Sequence, residues 1–345
     1  MAWAKGTATD FVDFLRILRD YASGVLIPGG SPSHGLTSGT QVGGGDAWTV
    51  LDDTLPASGM ATDGELYLRG QGAGGSPQDE IYCNFLTYRN AGNNQFSWEM
   101  RGATGYNSGL TFTTQPGTSS PAYSAFDDVS LPIHLWVNSR RIMALAQIGS
   151  TNVLVHAGFI QQFSTRSQYP YPLLITGSQM TSTSNAQVNN FGHSCLPDVA
   201  NDAGYLRWVD GTWLEWANYS NASATRASAK SSVISRNFWP NQQPTSHPNG
   251  GTGSGAGEGT FWENYTVTGA LLTAGDTGAL PLIPVCLMSD VALVGRVDGL
   301  YTVPGQGLVT GDTIVDTSVS PNKTYDVYSN TYRSEQADYF AILRE

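Results

Sequence analysis

Charge is what this 345-residue sequence has least of: Asp, Glu, Lys and Arg together make up 13% of it. Soluble domains ordinarily carry about 25%. A dispersed monomer stays in solution behind a charged surface, and here Ser, Thr, Asn, Gln and 40 glycines take that place. Such a surface suits faces that meet neighbours, because an unpaired charge is costly to desolvate. A secreted β-protein has the same Ser/Thr/Asn-rich look. Positive charge is scarcest: 17 Lys and Arg against 28 Asp and Glu leave a formal net charge of −11. No basic stripe is present, which argues against a nucleic-acid partner. Cysteine is rare as well. Cys83, Cys195 and Cys286 lie far apart and are odd in number, so they imply no disulfide framework. Cys83 falls in a strand-like run and reads as a small buried hydrophobe. No apolar run approaches the roughly 18 residues of a membrane span. The start, Met1-Ala2-Trp3-Ala4-Lys5-Gly6, lacks the apolar core of a secretory leader. Synthesis and folding in the cytoplasm, with no membrane partner, are expected. The sequons at Asn218, Asn221, Asn264 and Asn322 would then carry no sugar.

What is present reads as β structure behind one helix. Phe11, Phe14, Leu15, Leu18 and Ala22 recur at helical spacing, with Thr9 or Asp10 to cap the start, Asp13 in the first turn and Gly24 at the end. Arg16, Arg19 and Asp20 form its wet side. A helix this short needs a partner for its apolar face. Phe11, Phe14 and Leu18 therefore pack on their own domain or reach a neighbouring subunit. Residues 24–64 are rich in Gly, Ser, Thr and Pro and read as an extended segment with one strand near Trp48-Thr49-Val50-Leu51.

From Gly64 onward short strands follow one another. They are expected at Glu65–Arg69, Glu80–Arg89, Gln95–Arg101, Gly109–Thr113, Ile133–Asn138, Arg141–Ile148 and Val153–Ile160, and again at Phe261–Thr268, Val291–Val297, Leu300–Val303, Thr324–Ser329 and Tyr339–Leu343. The fold class is mainly β: an antiparallel sandwich or jelly roll with one N-terminal helix and long irregular loops. Three segments are expected: 1–63 as helix and arm, 64–180 as a β domain, and 181–345 as a second domain or the other half of one sandwich. Residues 240–260 have the lowest complexity and read as an exposed loop. Asp210-Gly211 is a favoured two-residue turn pair, which would set Trp208 opposite Trp213 as a tryptophan clasp in a hairpin over Tyr205–Trp216.

Motifs that carry chemistry are few. Gly70-Gln-Gly72-Ala-Gly-Gly75 matches a dinucleotide fingerprint literally, but Ser76-Pro77 and a strand follow where a helix N-terminus is needed. His193-Ser194-Cys195 supplies two of the three or four ligands that a metal requires, and His156 stands alone. The acidic doublets Asp52-Asp53, Asp79-Glu80 and Asp127-Asp128 read as solvated strand edges, and no nucleophile elbow is present. No cofactor, metal or catalytic set is expected. Tyr169-Pro170-Tyr171-Pro172 is different: a stiff, extended corner presenting flat amphipathic rings, which is either a packed corner or contact surface.

The run from His134-Leu-Trp136-Val-Asn-Ser-Arg140-Arg141 to Ile148, with Gln168-Tyr-Pro-Tyr-Pro-Leu-Leu-Ile175 after it, resembles a group of tailed-phage virion structural proteins. The N-terminal helix and Asp338-Tyr339-Phe340-Ala341-Ile342 are similar to that group too, so the likeness touches most of the chain. It implies a place in the virion tail apparatus, at the neck or collar, the tail end or the baseplate, and brings no catalytic residues. The first expectation is thus a structural subunit whose partners are copies of itself and other tail proteins, with Phe11, Phe14, Leu18, Tyr169 and Tyr171 at the interfaces. The second is a module binding host-surface glycan through Trp213, Trp216, Tyr219 and the 240–260 loop. The third is an enzyme that cleaves capsule polysaccharide.

Overall fold

The computed structural model describes residues 1–56, 64–72, 79–93, 95–149, 151–177, 204–216, 231–233, 282–289, 293–303, 308–329 and 339–344. Among the described residues the chain is mainly β, with three antiparallel sheets and a single α-helix near the N-terminus. The 240–260 loop, the Phe261–Thr268 strand, the 193–195 pair and Tyr219 lie outside the described residues.

The central sheet explains the longest apolar runs. It holds β1 (Ala2–Ala8), β2 (Leu36–Gly39), β8 (Leu131–Asn138), β9 (Arg141–Ile148), β10 (Thr151–Phe159), β12 (Leu173–Thr176), β13 (Gly204–Arg207) and β14 (Trp213–Trp216), in the order β14-β13-β12-β10-β9-β8-β1-β2. Both of its faces are covered, so its strands have no polar side to show. Ile142, Ala144 and Ala146 of β9 enter one core, and Met143 and Leu145 enter the other.

On the first face lie the helix and a second sheet. That sheet runs β3 (Thr49–Asp53), β4 (Glu65–Gly70), β5 (Ile81–Asn90), β6 (Gln95–Ala103) and β7 (Ala122–Ala125). On the other face lies a third sheet of β15 (Ser231–Val233), β16 (Ile283–Ser289), β17 (Leu293–Val303), β20 (Tyr339–Leu343), β19 (Lys323–Ser329) and β18 (Thr313–Asp316), in that order. β11 (Gln161–Gln162) leaves the central sheet and pairs with β17. The result is three stacked β layers with one core on each face of the central sheet, and a third, smaller cluster of Val303, Tyr325, Val327 and Ala341 on the third sheet.

Helix α1 (Phe11–Ala22) starts where its cap is strongest. The Asp10 carboxylate accepts from Val12 N at 2.8 Å and Asp13 N at 2.7 Å, while Asp13 reaches back to Thr9 N at 2.9 Å. The helix is wedged between the central and second sheets. Phe14 lies 4.6 Å from the Trp98 ring and 5.7 Å from Phe126, and the Trp98 indole donates to Phe11 O at 3.0 Å. The expected wet side is partly dry: Arg16 is buried, donating to Pro56 O at 2.7 Å and to Asp13 at 3.1 Å.

β1 lies between β8 and β2, β3 edges the second sheet, and the central sheet draws strands from all three expected segments, so this one sheet spans 63/64 and 180/181. One expectation is corrected. Residues 109–113 form turns, not a strand.

Candidate functional site

The expected interface residues are packing residues. Phe11, Phe14 and Leu18 are fully buried in the core between the central and second sheets. They cannot meet a neighbour while the chain is folded. The Tyr-Pro corner is likewise fastened to its own chain. Tyr169 is buried and its hydroxyl donates to Arg207 O at 2.5 Å, whereas Tyr171 turns to the opposite core, lies 5.0 Å from the Phe159 ring and donates to Ala103 O at 2.9 Å.

The tryptophan clasp is replaced by another arrangement. Trp208 N donates to Thr212 O at 2.7 Å and Gly211 N to Trp208 O at 3.0 Å, which makes Val209-Asp210-Gly211 a three-residue loop. Gly211 has φ +86, a conformation that favours glycine, and it shifts the register by one, so Trp213 stands opposite Arg207. A one-residue slip sends a side chain to the other face. Trp208 therefore packs 5.9 Å from Tyr169 in one core, while Trp213 lies against the other and donates to Gly117 O at 2.8 Å. Trp216 ends β14.

The boundary between the central and third sheets holds a polar layer that sequence reading missed. Asp326 is fully buried and accepts from Lys5 (2.9 Å), Arg344 (2.8 Å) and the Trp136 indole (3.3 Å). Burial alone would raise this carboxyl, but the Arg344 and Lys5 bonds outweigh it and hold it below the usual range. Beside it, His134 Nδ1 and the Tyr328 hydroxyl are 2.5 Å apart. Burial, then Lys5, pushes His134 down to about 4. Arg344 also lies over the Trp3 ring, 4.2 Å from its centre.

Further along the layer Arg141 is buried 3.8 Å from Asp298, with Nε and Nη1 unpartnered. His156, diagonal to it on β10, is buried with both ring nitrogens unpartnered, and burial followed by Arg141 pushes it down to about 3. The one available signal was parity: His134 and Trp136 share a face of β8 opposite Ile133, Leu135 and Val137.

The layer fastens sheets together and presents no reactive group. Cys83 is buried, which pushes its thiol well up and leaves it a packing residue. Among the described residues no group of three or more His, Cys, Asp or Glu side chains gathers at a metal-sized site, and no helix is long and apolar enough to cross a membrane.

Most described cations are paired within the chain, some of them at the surface. Among the described residues Lys5, Arg16, Arg19, Arg69, Arg89, Arg101, Arg141, Arg166 and Arg344 each have a carboxylate of the same chain within 4.0 Å. Apolar side chains do reach the surface around β18, the edge of the third sheet, where Val309 is 63% and Val315 52% exposed. No protein-family model matches the sequence, and no curated protein is significantly similar to it.

Proposed function

We propose that the chain is a structural subunit of a tailed-phage virion, placed in the tail apparatus at the neck, collar or baseplate. Its partners are copies of itself and other tail proteins, and its work is mechanical: many modest interfaces repeated by symmetry. The pairing of its cations within the chain carries this reading. Few residues are charged, and most described cations already face a carboxylate of the same chain, so a neighbour that covers them meets a neutralised pair and not a lone cation. The open β18 edge with Val309 and Val315 beside it is a place where a neighbour's backbone can pair. The resemblance of the His134–Ile148 and Gln168–Ile175 segments to virion proteins supplies the setting.

Sedimentation velocity of the purified chain over a range of concentrations tests the assembly reading. A closed oligomer that grows in with concentration is expected, and Val315→Lys on the open edge is expected to weaken it. A monomer at the highest concentrations reached counts against it.

A further inference from the structure

The outer face of the second sheet carries a separate arrangement. Parity along β4, β5 and β6 places Tyr67, Asn84 and Arg101 opposite one another in a single row, turned away from the helix. Glu65 and Glu99 flank that row on the same face, and Asp52 of β3 stands opposite Tyr67.

Residues 104–118 fold back over the row as a compact loop whose ends meet, Thr104 N donating to Pro116 O at 2.8 Å. Gln115 holds the loop from inside. Its amide nitrogen donates to Asn107 O at 3.1 Å and Leu110 O at 3.0 Å, and its oxygen accepts from Asn107 N at 2.8 Å. Two rings fasten this unit to the sheet. Phe112 lies 6.0 Å from the Tyr67 ring and 5.9 Å from the Arg101 guanidinium, which sets it above Asn84. Tyr106 lies 5.1 Å from Tyr67, and its hydroxyl donates to Asp52 at 3.0 Å. Gly105 and Gly117 stand at the roots, and Gly117, at φ +59, is tied down by Trp213. The loop is thus closed within itself and seated on the floor through the Phe112 and Tyr106 rings.

Beneath it Asn84 is 3% exposed, and its amide nitrogen has no hydrogen-bond partner. Leaving such a donor buried costs about 1–3 kcal/mol. The floor around it is rich in acceptors: three carboxylates, Asp52, Glu65 and Glu99, while its guanidiniums are already paired, Arg101 with Glu99 at 2.6 Å and Arg69 with Glu80 at 3.5 Å. The Tyr67 phenol already donates to Glu65 at 2.5 Å. A ligand for this floor brings many hydroxyl donors, an acceptor for Asn84, an apolar C–H face for the rings and no negative charge. That description is a carbohydrate.

We propose that residues 104–118 are a lid over a binding floor for neutral carbohydrate, built on Tyr67, Asn84 and Arg101, with Phe112 holding the place that a sugar ring takes when the lid swings out. The inference does not rest on the assembly reading: a monomer could bind sugar, and an assembled subunit could fail to.

The test uses the full chain and an array of neutral and acidic bacterial oligosaccharides, with Phe112→Ala and Asn84→Leu beside the wild type and thermal melts to establish that each is folded. Binding confined to neutral glycans is expected, tightened about tenfold in Phe112→Ala because the open state no longer competes with a seated ring. Asn84→Leu, which removes an orphaned donor, is expected to fold at least as stably and to lose binding. Hydrogen exchange over 104–118 should change when the best glycan from the array is added. Failure of both wild type and folded Phe112→Ala to bind any neutral glycan overturns the proposal. So does a preference for acidic glycans, or unchanged binding by Asn84→Leu.

Discussion

Trp136 and Asp326 stand 190 residues apart in sequence and meet across the boundary between the central and third sheets, the indole donating to the carboxylate at 3.3 Å. Because Lys5 and Arg344 converge on the same buried carboxylate, strands from the start, middle and end of the chain share one anchor.

Asp326→Ala is expected to destabilise the folded chain by about 3 kcal/mol, the usual cost of removing one member of a buried charged network. Asp326→Asn, which keeps the shape, is expected to cost less. Urea unfolding measures both. A loss under about 1 kcal/mol for the alanine variant would mean that Lys5 and Arg344 find equal partners in water.

Acid should loosen the same boundary. His134 faces Lys5, Arg344, Asp326 and Tyr328, and His156 faces Arg141 and Asp298. Both imidazoles are held below their ordinary value of 6.5, at about 4 and about 3. The unfolded chain therefore takes up protons first as pH falls. Their stabilising contribution is complete above pH 6.5 and declines as pH drops from there toward about 4 for His134 and about 3 for His156. His156→Leu should flatten the fall of the urea midpoint between pH 6.5 and 4. An unchanged slope would show that other groups govern it.

Phe14 separates packing from contact. In the fold described, Phe14→Ala opens a cavity beside Trp98 and Phe126 and should cost about 3–5 kcal/mol. The oligomeric state of the folded fraction should stay the same. A variant as stable as the wild type but with a smaller assembly would return Phe14 to the interface.

Much of the fold was legible where patterning is local. The Arg141–Ile148 strand was read with its observed bounds, and the helix with its cap, because apolar period and capping chemistry are properties of neighbouring residues. Within the expected Gln95–Arg101 strand, Phe96, Trp98 and Met100 alternate with polar residues and are buried. Their neighbours Ser97 and Glu99 are buried too, which alternation cannot reveal, since it depends on what covers the other face. Gly109–Thr113 alternates like a strand, yet Phe112 is a single anchor in a loop held by Gln115. β1 was missed because Ala2, Ala4 and Gly6 are weak strand formers that gain their place by pairing with β8 and β2. The Asp326 anchor and the Asn84 floor have no local signature at all. They arise from registers between strands far apart in the chain.

Immunogold electron microscopy of purified phage particles, with antibody against this chain, tests the proposed place in a virion tail. Gold confined to one level of the tail, at the neck, collar or baseplate, is the expected result. Virions that stay unlabelled, while the antibody recognises free protein in the lysate, would contradict it.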